Sequence, residues 1–139
     1  MLFHQPIDYH AGRRPEHTAL TAPDYQWDYA TLASKSHAIA HLLAELGVAA
    51  GDRVDVLGLN SAAHFAVMIG ASRIGAVTVS VNFRLAPAEL AFILDDAEID
   101  VLFVTDNSID DVIDKTIAKR NLSTRLIANR DNAFERLDT

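Results

Sequence analysis

The sequence predicts an α/β fold, a parallel sheet flanked by helices, preceded by a short N-terminal helix and a β-hairpin. Three observations between Gly51 and Leu94 carry that prediction. The β-forming segment Arg53–Leu57 lies between Gly51 and Gly58. Ala62–Ile74 is apolar, with Ala63, Val67, Ala71 and Ile74 at helical spacing. Val77, Val79 and Val81 then read as a second buried strand. A strand, a crossover helix and another strand imply parallel pairing with a right-handed connection.

The flanking elements follow from local chemistry. Phe3–Ala11 reads as an amphipathic helix ended by Gly12 and the approach to Pro15. Thr18–Thr21 and Tyr25–Trp27 read as short strands around a turn at Ala22, Pro23 and Asp24. Asp28 is placed to N-cap a helix over Tyr29–Leu46, its carboxylate accepting from free first-turn amides. Leu32, Ile39, Leu43 and Leu46 give that helix one apolar face, and Gly47 suits a left-handed C-terminus. Asn60 or Ser61 caps the next helix, and Gly75 ends it.

Pro87 suits the first turn of a helix through about Asp96, where a missing backbone donor does no harm. Val101–Thr105 is a third apolar strand and Leu126–Ala128 a fourth. Between them, Ser108 and Asp111 have capping-box spacing, with Asp110 and Asp111 at the positive end of a helix dipole and Lys119 and Arg120 at the other. Asn132–Leu137 reads as a last short turn or helix. The expectation is one partial domain over 1–139 with a parallel βαβ core over 51–130. No repeat, low-complexity tract or flexible linker interrupts it.

Composition narrows the function classes. At 139 residues the chain suits one domain. Half its residues are hydrophobic, which separates it from a disordered tail. A formal net charge of -7 without a basic stripe argues against a nucleic-acid partner. The absence of cysteine excludes disulfides, thiol nucleophiles and zinc-thiolate sites. The opening MLFHQPIDYHAGRR lacks the uninterrupted apolar run of a secretory signal, so a cytoplasmic location is expected. Phe65–Val81 falls short of a membrane span because Arg73 sits inside it and Gly75 divides a helical half from a strand half.

Five pieces keep a recognisable order and spacing: RRPEHTAL at Arg13–Leu20, WDYATLASKSHAIAHLLAELGVAAGDRV at Trp27–Val54, LNS at Leu59–Ser61, RIGAVTVSVNFRL at Arg73–Leu85 and AELAFILDDAEIDVLFV at Ala88–Val104. From Pro15 to Val104 the sequence resembles the N-terminal region of the AMP-forming acyl-CoA synthetases, of the adenylating superfamily that includes luciferases and nonribosomal peptide synthetase adenylation domains. Asp28 stands where that family usually has Thr. The resemblance implies a parent that activates a carboxylic acid, a fatty acid by preference, with ATP and Mg, then transfers the acyl group to coenzyme A.

The family's Ser/Thr/Gly-rich loop ending in Lys, its Thr-Glu pair, its ribose-binding Asp and its C-terminal Lys all lie downstream of the matched region. No G-x-x-x-x-G-K or Thr-Glu pair occurs here. The chain is therefore expected to be the opening segment of a ligase, inactive alone, binding no cofactor and no metal by itself. No catalytic residue is assigned.

Each candidate site has a structural reading that outweighs the functional one. Gly58 and Asn60 suggest a dinucleotide fingerprint, but the second and third glycines are missing, so a helix-entry role is expected. His37 and His41 have metal-ligand spacing without the intervening Glu of a zinc protease or a third ligand. Asp95, Asp96, Glu98, Asp100, Asp106, Asp110 and Asp111 fail the calcium-loop pattern, because the sixth position from Asp106 is Asp111 rather than Gly. In the loop Asn82–Leu85, Arg84 could meet an anion, while Asn82 suits the turn itself. Arg13 and Arg14 could touch acidic lipid headgroups, a weak attraction without a second signal.

Two readings from other classes remain. One is a stand-alone interaction module that keeps the fold and pairs with a ligase remainder or with itself through uncovered apolar surface. The other is a receiver-like signalling domain with Asp106 at a strand end, against which stand the missing acidic pair after the first parallel strand and the missing Lys.

Overall fold

The computed structural model describes residues 2–23, 25–57, 62–81, 84, 86–96, 101–104 and 125–128. The first helix, α1, spans Gln5–Arg13. Pro6 lies in its first turn, where its fixed φ is helical and no donor is missed. It begins later than the expected Phe3 and runs through Gly12 instead of stopping there. A helical glycine costs only about 1 kcal/mol, and the Arg14 amide closes the turn onto the His10 carbonyl at 2.8 Å. The helix ends at Arg14 because the residue before proline is steered away from helical backbone.

Strands β1, Thr18–Ala22, and β2, Tyr25–Asp28, pair antiparallel with an irregularity between Thr18 and Leu20. Asp28 closes β2 and caps α2, Tyr29–Glu45, as expected: its Oδ1 accepts from the Thr31 amide at 2.8 Å. Leu32, Ser36, Ile39, Ala40 and Leu43 form the buried face. Leu46 is the C-cap rather than a helical residue. Gly47, at φ 83°, donates to Ala44 and Val48 donates to Leu43, the paired bonds of a left-handed helix end.

The remaining elements are β3 (Arg53–Leu57), α3 (Ala62–Arg73), β4 (Val77–Val81), α4 (Pro87–Asp96), β5 (Val101–Val104) and β6 (Arg125–Ala128). The strands make one parallel sheet in the order β4-β3-β5-β6. The fold class is thus the expected α/β one, and both crossover helices sit where the sequence places them. The expected caps at Asn60 or Ser61, the capping box at Ser108–Asp111, the dipole charges at Asp110, Asp111, Lys119 and Arg120, and the element at Asn132–Leu137 lie outside the described residues.

Register divides the sheet into two faces. Val54, Val56, Val101 and Phe103 meet Ile39 and Leu43 of α2 and Ala66, Val67 and Ala71 of α3 in one buried cluster. The expected α3 stripe is too narrow, since Ala62, Ile69 and Gly70 are buried as well while Ala63 is only half-buried. The reason is that α3 packs on the sheet and on α2 together. A Cβ at Gly70 would lie 2.7 Å from Ile39 Cβ and 2.8 Å from the Ser36 carbonyl oxygen, so the helices approach as only glycine allows.

The other face carries Asp55 with its register partners Val79 of β4 and Leu102 of β5, and Val77 two residues before Val79. Right-handed crossovers put α4 on this side, and its Leu90 is buried outside the α2/α3 cluster. Here one expectation fails. Among the described residues Val77–Val81 is an edge strand, not a buried one: Val77 is 49% exposed and Val79 half-buried. An edge strand has a neighbour on one side only, so its apolar alternation alone cannot tell it from a central strand.

Candidate functional site

Parallel pairing gathers the strand ends. Leu57 is in register with Val81 and Val104, and Val104 with Ala128, so the chain leaves all four strands along one edge. In order of appearance the strands lie second, first, third, fourth, and the winding reverses between β3 and β5. A sheet of this kind binds ligands outside the carboxyl ends of the strands at that reversal. The expected sites at Gly58, Asn60 and Asn82 flank this edge in sequence and lie outside the described residues, whereas Arg84 is exposed.

The glycines with positive φ sit elsewhere. Gly51 and Gly75 precede β3 and β4, and the Gly51 amide donates to the Gly75 carbonyl at 2.9 Å. They shape turns at the opposite, amino edge of the sheet. Among the described residues no group of three potential ligands could hold a metal ion. His37 and His41 are exposed and line a cleft of about 350 Å³ with His4 and Arg73. Partial burial and then the charge of Arg73 lower the His37 pKa, against the opposing pull of Asp8.

Sequence reasoning passed over two charged groups. Arg73 is 7% exposed, and its guanidinium grips Asp8 through two bonds, Nη1 to Oδ2 at 2.8 Å and Nη2 to Oδ1 at 2.7 Å. Its Nε donates to Ser36 Oγ at 2.9 Å, so one side chain ties α1, α2 and α3 together. The hydrogen bond from Arg73 holds the Asp8 carboxyl below its usual pKa, outweighing desolvation. His4 adds a contact to Ser72 Oγ at 3.0 Å.

The second is Asp55, in the middle of β3 and fully buried. Its Oδ1 accepts from the Val56 amide at 2.6 Å, while Oδ2 has no hydrogen-bond partner among the described residues. Desolvation pushes its pKa up to about 8, so the acid is mostly protonated at neutral pH. A lone acid inside RVDVL was the available signal.

Arg13 and Arg14 end α1, both exposed. Arg13 donates to Tyr9 Oη at 3.0 Å and Arg14 to His10 Nδ1 at 3.2 Å. No described helix is long and apolar enough to cross a membrane.

Residues 7–138 match the family described as AMP-binding enzyme. The chain belongs to that family. This AMP-binding family member is 35% identical over 102 residues to the fatty acid--[acyl-carrier-protein] ligase ScoC of Streptomyces coeruleorubidus, covering 73% of this chain and 20% of the relative. It is 39% identical over 98 residues to an indoleacetate--CoA ligase of Aromatoleum aromaticum, covering 70% of this chain and 19% of that one. It spans about a fifth of the length of these curated relatives.

Among solved structures, the N-terminal domain of FACL13 from Mycobacterium tuberculosis superposes with a TM-score of 0.89 at 30% identity, over 100% of this chain and 36% of that one. A Mycobacterium tuberculosis fatty acyl CoA synthetase gives 0.89 at 31% identity, over 99% and 28%. The family read from Arg13–Val104 is the one found, which separates this AMP-binding family member from receiver domains of the same strand order.

Proposed function

We propose that this chain forms the N-terminal scaffold of an ATP-dependent carboxylic acid ligase, with a fatty acid as the favoured substrate class. In such a ligase a carboxylate is activated as its acyl adenylate and passed to coenzyme A. The observation that supports this reading most is the family match over 7–138 together with relatives that are acyl ligases. Among the described residues no group of three potential metal ligands occurs. The part proposed for the chain is to build the sheet whose strands end along one carboxyl edge; ATP, Mg and coenzyme A would be held by other parts of the ligase.

The test is acyl-adenylate formation from Mg-ATP and a panel of fatty acids. It is run on the 139-residue chain and on the polypeptide encoded when the source locus is read past Thr139. The expected result is turnover only where the frame reaches a Ser/Thr/Gly-rich loop with Lys. Adenylate made by the 139 residues alone would overturn the scaffold role.

A second reading, a non-catalytic interaction module, is favoured by the exposed Val77 and by Phe92, which is 65% exposed. It predicts concentration-dependent association in sedimentation velocity. A monomer at every concentration, with no apolar dye bound, would dispose of it.

A further inference from the structure

We propose that the cleft between α1, α2 and α3 is a pH-operated latch, which holds α1 against the domain while His37 is neutral and releases it when His37 takes up a proton. The cleft, of about 350 Å³, is lined by His4 at the N-cap of α1, by His37 and His41 of α2 and by Arg73 at the end of α3, with apolar side chains between them. Its state matters to α1 because that helix buries no residue fully. Two of the polar ties that hold α1 end at this corner, the Asp8 carboxylate on Arg73 and the His4 ring on Ser72 Oγ.

Charge makes the corner responsive. Arg73 is a permanent cation whose side chain is 7% exposed, and its two bonds to Asp8 already use that carboxylate. A proton on His37 therefore adds a positive charge beside a cation that is already compensated. The charged and titratable groups facing His37 are Arg73 of α3, Asp8 and His4 of the α1 segment and His41 of its own helix. Partial burial lowers the His37 pKa from the ordinary value of 6.5, and Arg73, His41 and His4 act in the same direction, while Asp8 pulls the other way. The closed cleft thus prefers the neutral ring. A histidine with a lowered folded pKa contributes stability that is present above the ordinary value and is lost as pH falls through the lowered one. Opening the cleft returns the ring to water and screens it from Arg73, so the proton binds the open arrangement better and shifts α1 toward it. Asp8 stays ionised throughout, because Arg73 holds its carboxyl below the usual carboxylate range.

Release has a structural consequence. Leu2, Phe3, Pro6 and Ile7 form one wall of an apolar cavity whose opposite wall includes Leu32 of α2 and Ile69 of α3, both buried. Lifting α1 uncovers that opposite wall, so acid turns a closed corner into exposed apolar surface.

The experiment is amide hydrogen exchange on the 139-residue chain at pH 7.5 and pH 5.5, read as protection factors so that the chemical pH dependence of exchange is removed. Protection across residues 5–13 is expected to fall several-fold at pH 5.5, with more apolar dye bound. Amides of β3 and α3 keep or gain protection, because the proton on buried Asp55 steadies the sheet as pH falls. His37→Gln is expected to keep α1 protected at pH 5.5, and His37→Arg, charged at both pH values, to loosen α1 at pH 7.5 as well. Amides of β3 and α3 report the fold of each variant. Equal α1 protection at the two pH values, or the same loss in His37→Gln as in the wild type, would overturn the latch. A loss that spreads through β3 and α3 would overturn it too, since acid would then be acting on the whole domain.

Discussion

The two faces of one four-stranded sheet differ in what covers them. Behind Val54, Val56, Val101 and Phe103, α2 and α3 complete a dry core. On the other face the same strands present a buried acid with one oxygen lacking a described partner and a valine that is half exposed. The first face is finished by local chain, and its energetics are those of any packed interior. The second is where the described residues leave polar and apolar demands open, and its buried acid makes it the face that responds to pH.

The largest expected effect tests that contrast through Asp55. Its folded pKa is raised to about 8, against about 3.9 in the unfolded chain. The folded state therefore holds the proton over that interval and the unfolded state does not. Stability is fully present below about pH 4, falls as pH rises toward about 8, and is level above it, with a slope near 1.4 kcal/mol per unit. Urea unfolding of wild type across pH 5 to 8 should show that slope, a total of several kcal/mol. Asp55→Val should flatten it and raise stability at pH 8. A pH-independent wild type would mean that a donor outside the described residues holds Asp55 as a carboxylate.

Next is the finished face. Phe103 is fully buried, and Phe103→Ala is expected to cost about 3 to 5 kcal/mol in urea unfolding. Val77→Ala on the open face should cost under about 0.5 kcal/mol. Similar losses at both positions would erase the difference between the faces.

Gly70 sharpens the comparison from within the core. Its added Cβ would meet Ile39 and the Ser36 backbone carbonyl, and the backbone cannot step aside as a flexible side-chain end could. Gly70→Ala should therefore destabilise by about 1 to 3 kcal/mol, despite alanine's better helix propensity. Gly70→Val, which adds bulk at the same point, should cost more than Gly70→Ala if the close approach is the cause. An equal or smaller loss would place the cost elsewhere.

How much of this was legible in sequence follows the range of each interaction. The Asp28 cap and the Gly47 helix end are set by residues within three or four positions, and both appear where they were expected. The parallel sheet was legible because β3, α3 and β4 follow one another with clear periods. The edge position of β4 was not, since it depends on β5 pairing with β3 instead. Gly70 reads as an ordinary small residue until α2 is laid against it. Of the candidate site, the sequence carried the edge on which the strand ends meet, through their parallel direction. It could not carry the Asp8–Arg73 grip, whose partners stand 65 residues apart.

That grip gives the smallest expected effect. Asp8 is 42% exposed, so solvent screens much of the pair, and the global contribution is about 1 kcal/mol or less. Its folded pKa is lowered, so the contribution is present above the unfolded value near 3.9 and fades as pH falls below it. The effect should be local, because Arg73 holds α1 against α2 and α3 while α1 itself buries no residue fully. Asp8→Asn should raise amide hydrogen exchange across residues 5–13 several-fold at pH 7 and leave β3 and α3 unchanged, since helices with little burial open first. Uniform protection loss through the sheet would instead make α1 part of the folding core, and the grip a structural tie rather than a hinge on a peripheral helix.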